Sequence, residues 1–335
     1  MMNLESNKQK RIEWIDALKG FLIFCVTLGH CNMWAPIERY IYSFHMFIFF
    51  FLAGFLFSVK KTTKEILTKC SKRLLLPFVA WNFVSAMIDF LLQKDLTIFI
   101  EELFVLNGNL TWNAPIWFLL VLFITELLFV CLRLYKHTWI SIIALVASLG
   151  LWILIGSEWI IWKINLVPMA MAFFILGWLF KATLSTIQRW CLIIPFGVGS
   201  IVFSALNVRV VYTYGVFGNY IYCILAAFCG VLFFVGLFSK IRFLSSIPFL
   251  KSWGKNSLII MATQFFVFRL ISVLSAKIIN INLMHIQNSA ISLCISLFTI
   301  STITLGVMLF KRLSNRVKVL KAFGSAFGIN YPDWR

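Results

Sequence analysis

The chain has 335 residues, 61% of them hydrophobic and only 13% charged, with a mean hydropathy of +0.93. A water-soluble protein with so few charges could not cover its own surface, which excludes a pair of soluble domains with oversized cores. The net charge of +18 does not point to nucleic acid, because no base-stacking or groove-reading module accompanies it.

In chain order, near-continuous apolar runs predict helical spans over about 12–33, 40–59, 74–92, 115–135, 139–156, 159–180, 190–208, 214–238, 256–279 and 288–310. Runs such as Phe44–Phe57 and Leu119–Val130 carry almost no polar atoms. In lipid only a helix satisfies its backbone one segment at a time, so the reading is an all-α polytopic membrane bundle of about ten spans. The strict alternation of a β-barrel is absent. No linker or low-complexity segment divides the chain. A single membrane-embedded domain over 1–335 is expected, with an N-terminal tail over 1–11 and a basic C-terminal tail over 311–335. The first apolar run is too long for a cleaved signal and leads directly into the next, so it is expected to stay as a span.

With ten spans the connections alternate between two sides. One side collects 23 of the 30 basic residues, including Lys60, Lys61, Lys64, Lys69, Lys72 and Arg73 before the third span; the other collects Arg39, Lys94, Arg209 and Lys277. This bias predicts cytoplasmic termini and a multi-pass protein of the cell (cytoplasmic) membrane. A basic inner surface beside anionic lipids also accounts for the net charge. The outer connection Gln93–Ala114 is long enough to fold over the outer mouth. Cys25, Cys131, Cys191, Cys223, Cys229 and Cys294 lie in or at the edges of spans, as small packing residues do, and no Cys-x-x-Cys pair occurs.

Ionisable groups inside spans cost free energy and are the first functional candidates. They are Asp16, Lys19, His30, His45, Asp89, Glu126, Lys163 and Arg269. Asp89 and Lys163 lie near interfaces and read as structural. Lys19 and His30 are eleven residues apart, which puts them about 20° apart around a helix and about 16 Å apart along it. Asp16 is one turn from Lys19, so the three form a polar stripe that must face the bundle interior. The short turn after the first span brings His45 to a depth comparable with His30. Two such histidines can share a proton or flank a substrate hydroxyl. Without cysteine or carboxylate ligands beside them they do not read as a metal site, and no metal is expected. A structural reading stands beside this: an inward Asp–Lys pair that sets helix rotation, with a hydrogen-bonded histidine.

The segment Trp14-Ile-Asp16-Ala-Leu-Lys19-Gly20, ending in Gly29-His30, resembles the opening of the acyltransferase family 3 proteins. Pro36-Ile-Glu38-Arg39 with Phe44-His45-Met46 and Phe49–Leu56 is similar to the family's second-helix signature. Arg73-Leu-Leu-Leu-Pro77 with Trp81 resembles the basic loop leading into its third helix. Trp117-Phe118-Leu119 resembles its fourth, and Gly254-Lys255-Asn256-Ser257-Leu258 the start of a late helix. The branch with the most similar pattern holds fucose 4-O-acetylase-like proteins. The chain departs from the family pattern at Phe47, where proline is common, at Ala53 for serine, and at Gln264 for a late-helix histidine. Lys19 stands where arginine is usual, which keeps the charge and loses the bidentate fork.

The resemblance implies acetyl transfer from cytoplasmic acetyl-CoA, as acyl donor, to a sugar hydroxyl of a cell-envelope or exported polysaccharide, with a glycan or lipid-linked sugar as acceptor and polysaccharide biosynthesis machinery as a partner. It makes His30 the leading general base. Glu126 is the candidate to orient its ring, with His45 as the second imidazole. Lys19, Lys72 and Arg73 offer cations to the donor phosphates. Arg269 either polarises the thioester oxygen or pairs with Glu126. No soluble esterase-like extension follows the last span, so transfer is expected to be completed in the membrane part. No Gly-x-Ser-x-Gly, P-loop or dinucleotide motif offers another chemistry. The rival readings are a proton-coupled carrier or flippase for a lipid-linked saccharide, and a membrane-embedded assembly factor.

Overall fold

In the computed structural model, which describes residues 12–59, 62–92, 97, 112–158, 160–182, 184, 189–314 and 318–329, each of the ten apolar runs contains a helix. They are α1 (Glu13–Gly29), α2 (Ala35–Leu56), α3 (Thr63–Leu91), α4 (Trp117–Cys131), α5 (Thr138–Ile155), α6 (Val167–Leu179), α7 (Trp190–Ala205) and α8 (Tyr220–Lys240). The short α9 (Pro248–Lys255) leads to α10 (Ser257–Ile279) and α11 (Ser289–Ser314), and α12 (Lys318–Ala326) comes after them. Among the described residues the only extended pairing is one bridge, Val211 with Val216. Eight helical segments among them are long and apolar enough to cross a membrane. The two remaining runs give shorter helices, 17 residues in α1 and 16 in α7.

Burial divides the helices into centre and rim. α2 is central, with Phe44, Phe47, Phe50, Phe51 and Leu52 all enclosed. α5 is peripheral: Ile142, Ile143, Val146 and Leu154 are exposed, and among its residues only Ser141 and Trp152 are buried. An outer surface this apolar would aggregate in water and suits a bilayer, so the protein is a multi-pass membrane protein.

Two backbone contacts set the geometry around the centre. A Cβ added to Gly20 of α1 would lie 1.9 Å from the Leu250 carbonyl oxygen, and one added to Gly254 of α9 would lie 1.7 Å from that of Asp16. α1 and α9 therefore touch main chain to main chain, which no other residue type allows. Gly54 of α2 and Gly177 of α6 repeat the arrangement, at 1.9 Å from the Phe174 oxygen and 2.0 Å from the Phe51 oxygen.

The structure corrects two boundaries that matter. The basic stretch expected as a loop before the third span is helical from Thr63, and it opens on a reciprocal cap in which Glu65 N–H donates to Thr62 Oγ1 and Thr62 N–H donates to the Glu65 carboxylate. Further along α3, Pro77 disturbs the turn that precedes it. It has no N–H, and its ring would strike the carbonyl of Arg73 four residues earlier. The helix widens over Ser71–Leu75, where the Leu76 N–H reaches back five residues to Ser71. Second, the expected C-terminal tail is not wholly separate from the membrane part. α11 runs on to Ser314, and α12 folds back so that Trp81 Nε1 donates to the Phe327 carbonyl at 3.1 Å. The long connection 93–114, expected over the outer mouth, lies almost entirely outside the described residues.

Candidate active site

The face of α1 read as a polar stripe is the face it presents to a cavity of about 2480 Å³: Asp16, Lys19, Ile23, Val26 and His30 all line it. Their spacing of three and four residues is the helical period. The cavity runs along the bundle axis and changes character from one end to the other.

One end, the end expected to face the cytoplasm, is cationic. Lys64, Lys69, Lys72 and Arg73 of α3 line it, with Lys255 and Lys311 contributed by the late helices. Along α3 the lining residues Glu65, Thr68, Lys69, Lys72, Arg73 and Leu76 follow the three- and four-residue helical spacing, which puts Lys72 and Arg73 on this wall. The Gly20–Gly254 contact holds Lys19 and Lys255, each next in sequence to one of those glycines, on the same side. The C-terminal segment closes the wall with Ser325, Ala326 and Gly328. Gly328 is in the left-handed region at φ 87°, and a Cβ there would lie 2.4 Å from Leu258.

The opposite end, expected to face outward, is aromatic and centred on Tyr42. The His30 ring meets Tyr42 edge to face at 6.4 Å and Phe265 at 5.0 Å. His45 meets the same Tyr42 edge to face at 5.1 Å. Tyr42 is held by its hydroxyl, which donates to the Gly29 carbonyl at 3.1 Å, so it also fixes the backbone that carries His30. The two histidines thus share a neighbour. No hydrogen bond joins them among the described residues. His45 Nδ1 lies 2.7 Å from the Ile41 carbonyl. A carbonyl only accepts, so a neutral His45 carries its proton on Nδ1 and keeps Nε2 as an acceptor. The His30 ring is partly exposed to the cavity and makes no hydrogen bond among the described residues.

Two sequence candidates lie elsewhere. Glu126, expected to orient His30, is fully buried behind the cationic wall and is ion-paired to Arg73. Arg269 sits beside Trp112, away from the residues that line the cavity. Its guanidinium lies over the Trp112 ring at 4.0 Å, and Trp112 Nε1 donates to Asp89 at 2.8 Å. The structural reading of Asp89 and Lys163 agrees with their contacts, Lys163 Nζ donating to the Thr213 carbonyl at 2.6 Å. Gln264 is enclosed, at the level of the helical turn before His30. Thr27 Oγ1 is 2.9 Å from both the Ile23 carbonyl and the Gln264 side chain. A hydroxyl has one proton. It satisfies both contacts when it donates to Ile23 and the Gln264 amide turns its NH₂ toward it.

Sequence reasoning missed the connection between α7 and α8. It folds into the aromatic end and brings Arg209 and Tyr212 to the cavity. Asn207 closes its neck, donating to the Phe217 carbonyl at 2.9 Å and accepting from the Asn219 N–H at 2.9 Å. Gly215, at φ 65°, makes the turn inside the Val211–Val216 bridge. The Tyr212 hydroxyl donates to the Tyr42 carbonyl at 2.6 Å. Arg209 pairs with Glu38 at 2.8 Å and lays its guanidinium over Tyr42 at 4.7 Å.

Helices that cross a bilayer around an internal cavity, with cations at one end and imidazoles at the other, define an integral membrane protein with a buried polar site. The family model for the acyltransferase domain matches residues 12–311, and the chain belongs to acyltransferase family 3. No curated protein and no solved structure matches it.

Proposed function

We propose that this membrane acyltransferase moves an acetyl group from cytoplasmic acetyl-CoA to a sugar hydroxyl of a cell-envelope or exported polysaccharide, with His30 as general base. The observation that carries the reading is the single cavity that joins a cationic end to a pair of imidazoles. The phosphates of CoA suit the wall of Lys72, Arg73 and Lys19. The thioester sits at the far end of a long flexible arm, and the face of α1 from Lys19 to His30 offers it about 16 Å of path. At that end His30 takes the proton of the attacking hydroxyl as the new O–C bond forms. The tetrahedral centre then breaks its C–S bond, and the imidazolium returns the proton to the departing thiolate. No covalent acetyl-histidine is needed for this sequence. With its cationic end inward, the protein would lie in the cytoplasmic membrane beside anionic lipids and polysaccharide biosynthesis machinery.

A carrier for a lipid-linked saccharide is the second reading, because the cavity reaches residues at both ends of the bundle. Thioester consumption by the purified protein separates the two. His30→Gln keeps hydrogen bonding and approximate size but cannot carry a proton near neutral pH. As a lost base it is expected to lower turnover per folded molecule by about 10²–10⁴-fold with a normal gel-filtration peak. Near-normal turnover would remove His30 from the mechanism and leave His45, with its accepting Nε2, as the base.

A further inference from the structure

The two ends of the cavity differ in charge balance as well as in charge. Among the described residues at the cationic end, the lysines and Arg73 outnumber the carboxylates that accompany them, which are Asp16, Glu65 and the buried Glu126. At the outer end the described cation lining the cavity is Arg209, and Glu38 neutralises it at 2.8 Å. The pair is asymmetric: the Arg209 side chain is 43% exposed and that of Glu38 only 16%. The guanidinium therefore faces the cavity with donors to spare, while the carboxylate sits behind it and holds it in place.

Geometry adds shape to this. Arg209 is clamped on three sides: by Glu38, by the Tyr42 face at 4.7 Å, and by a connection stapled at Asn207, Lys163 and Tyr212. A planar fork of donors held rigidly beside aromatic walls (Tyr212, and Trp117 at 6.1 Å from it) is suited to adjacent hydroxyls on a sugar ring. The rings supply apolar area to the C–H faces, and the fork donates to two neighbouring oxygens. An acidic sugar fits less well. Its carboxylate would approach a guanidinium already paired, next to the carboxylate of Glu38, and the like-charge contact opposes it.

We infer that the outer end of the cavity is an acceptor subsite for a neutral saccharide, an inference that rests on the acetyl-transfer reading of the same cavity. Arg209 grips adjacent hydroxyls and so turns a further hydroxyl toward His30, which shares the Tyr42 neighbour. Glu38 is a positioning residue that also selects against uronates and other anionic acceptors.

The test is binding rather than turnover. Protein in phosphatidylcholine nanodiscs, free of sugar detergents, is applied to an immobilised panel of neutral oligosaccharides and their uronate-bearing counterparts, and acetyl-CoA binding is measured on the same sample. Neutral members are expected to bind at least about tenfold better than their acidic counterparts. Arg209→Gln should lose that binding while keeping acetyl-CoA binding. Glu38→Gln should narrow or invert the preference, because an unpaired guanidinium attracts carboxylates. If Arg209→Gln does not fold, Arg209→Lys, which keeps the charge and loses the fork, must show the same loss. Equal or better binding of the acidic members by the wild type overturns the inference, as does neutral binding that survives loss of Arg209. Acetyl-CoA binding with no saccharide bound from either set also overturns it, while leaving the donor half of the proposed function standing. Arg209-dependent binding of neutral glycans without acetyl-CoA binding supports the subsite and counts against the transferase reading.

Discussion

Removing Arg73 should destabilise the protein through a residue buried behind the cavity wall. Glu126 is fully enclosed, and its charge is matched by Arg73 across 53 residues of sequence. Breaking a buried ion pair from one side leaves an uncompensated charge, at a cost of about 3–5 kcal/mol. The Arg73 side chain is 47% exposed to the cavity. Its loss admits water toward Glu126, and that screening places the expected value at the low end, about 3 kcal/mol. For a chain of this size that corresponds to a fall in apparent Tm of roughly 4 °C. Arg73→Gln would show it in a thermal scan at fixed heating rate, since membrane proteins seldom unfold reversibly. The double variant Arg73→Gln/Glu126→Gln removes both charges and should recover most of the loss, whereas acetyl-CoA binding should stay weak because the cationic wall is still one charge short. If Glu126→Gln alone costs as much as Arg73→Gln, or if the double variant is the least stable of the three, the stability argument is wrong. Full recovery of donor binding in the double variant would remove Arg73 from the donor site.

The same wall and its supports respond to substitutions at three further positions. Gly254→Ala places a methyl 1.7 Å from the Asp16 carbonyl oxygen, backbone against backbone, and should prevent normal folding or cost more than about 3 kcal/mol; Gly306→Ala, with nothing within 4 Å, should be neutral or slightly stabilising. Equal behaviour of the two in thermal scans would refute the close contact of α1 and α9. Lys19→Arg should be tolerated, while Lys19→Ala should raise the acetyl-CoA concentration needed for half-maximal turnover several-fold without lowering expression. Unfolding of both variants would make Lys19 a packing element instead.

How much of the fold and site is legible in the sequence depends on the range over which each residue acts. The stripe Asp16–Lys19–His30 is readable because helix period alone decides which face it shares, and a charged face cannot meet lipid. The cap at Thr62 with Glu65 is equally local: a Thr-x-x-Glu spacing is in plain view and could have moved the start of the third helix back by a turn or more. Pro77 likewise announces a disturbance four residues upstream, at Arg73, although only the fold shows that the helix absorbs it by widening rather than by ending. Glu126 is the opposite case. A lone carboxylate in an apolar run signals that it has a partner, but spacing cannot name one 53 residues away, and the inference to His30 fails on that ground. The connection from Asn207 to Asn219 is harder still. Its short polar residues and two glycines read as an ordinary outer turn, and Arg209 as one of four stray cations. What makes it part of the site is a set of hydrogen bonds to Tyr42, Lys163 and its own neck, all but the last between segments distant in sequence. A solvent-facing loop and a loop folded into a cavity can share a composition. The difference lies in whether a donor such as Lys163, itself one of two adjacent left-handed residues with Trp162, is aimed at the loop's own carbonyls, and that is a property of the packed bundle alone.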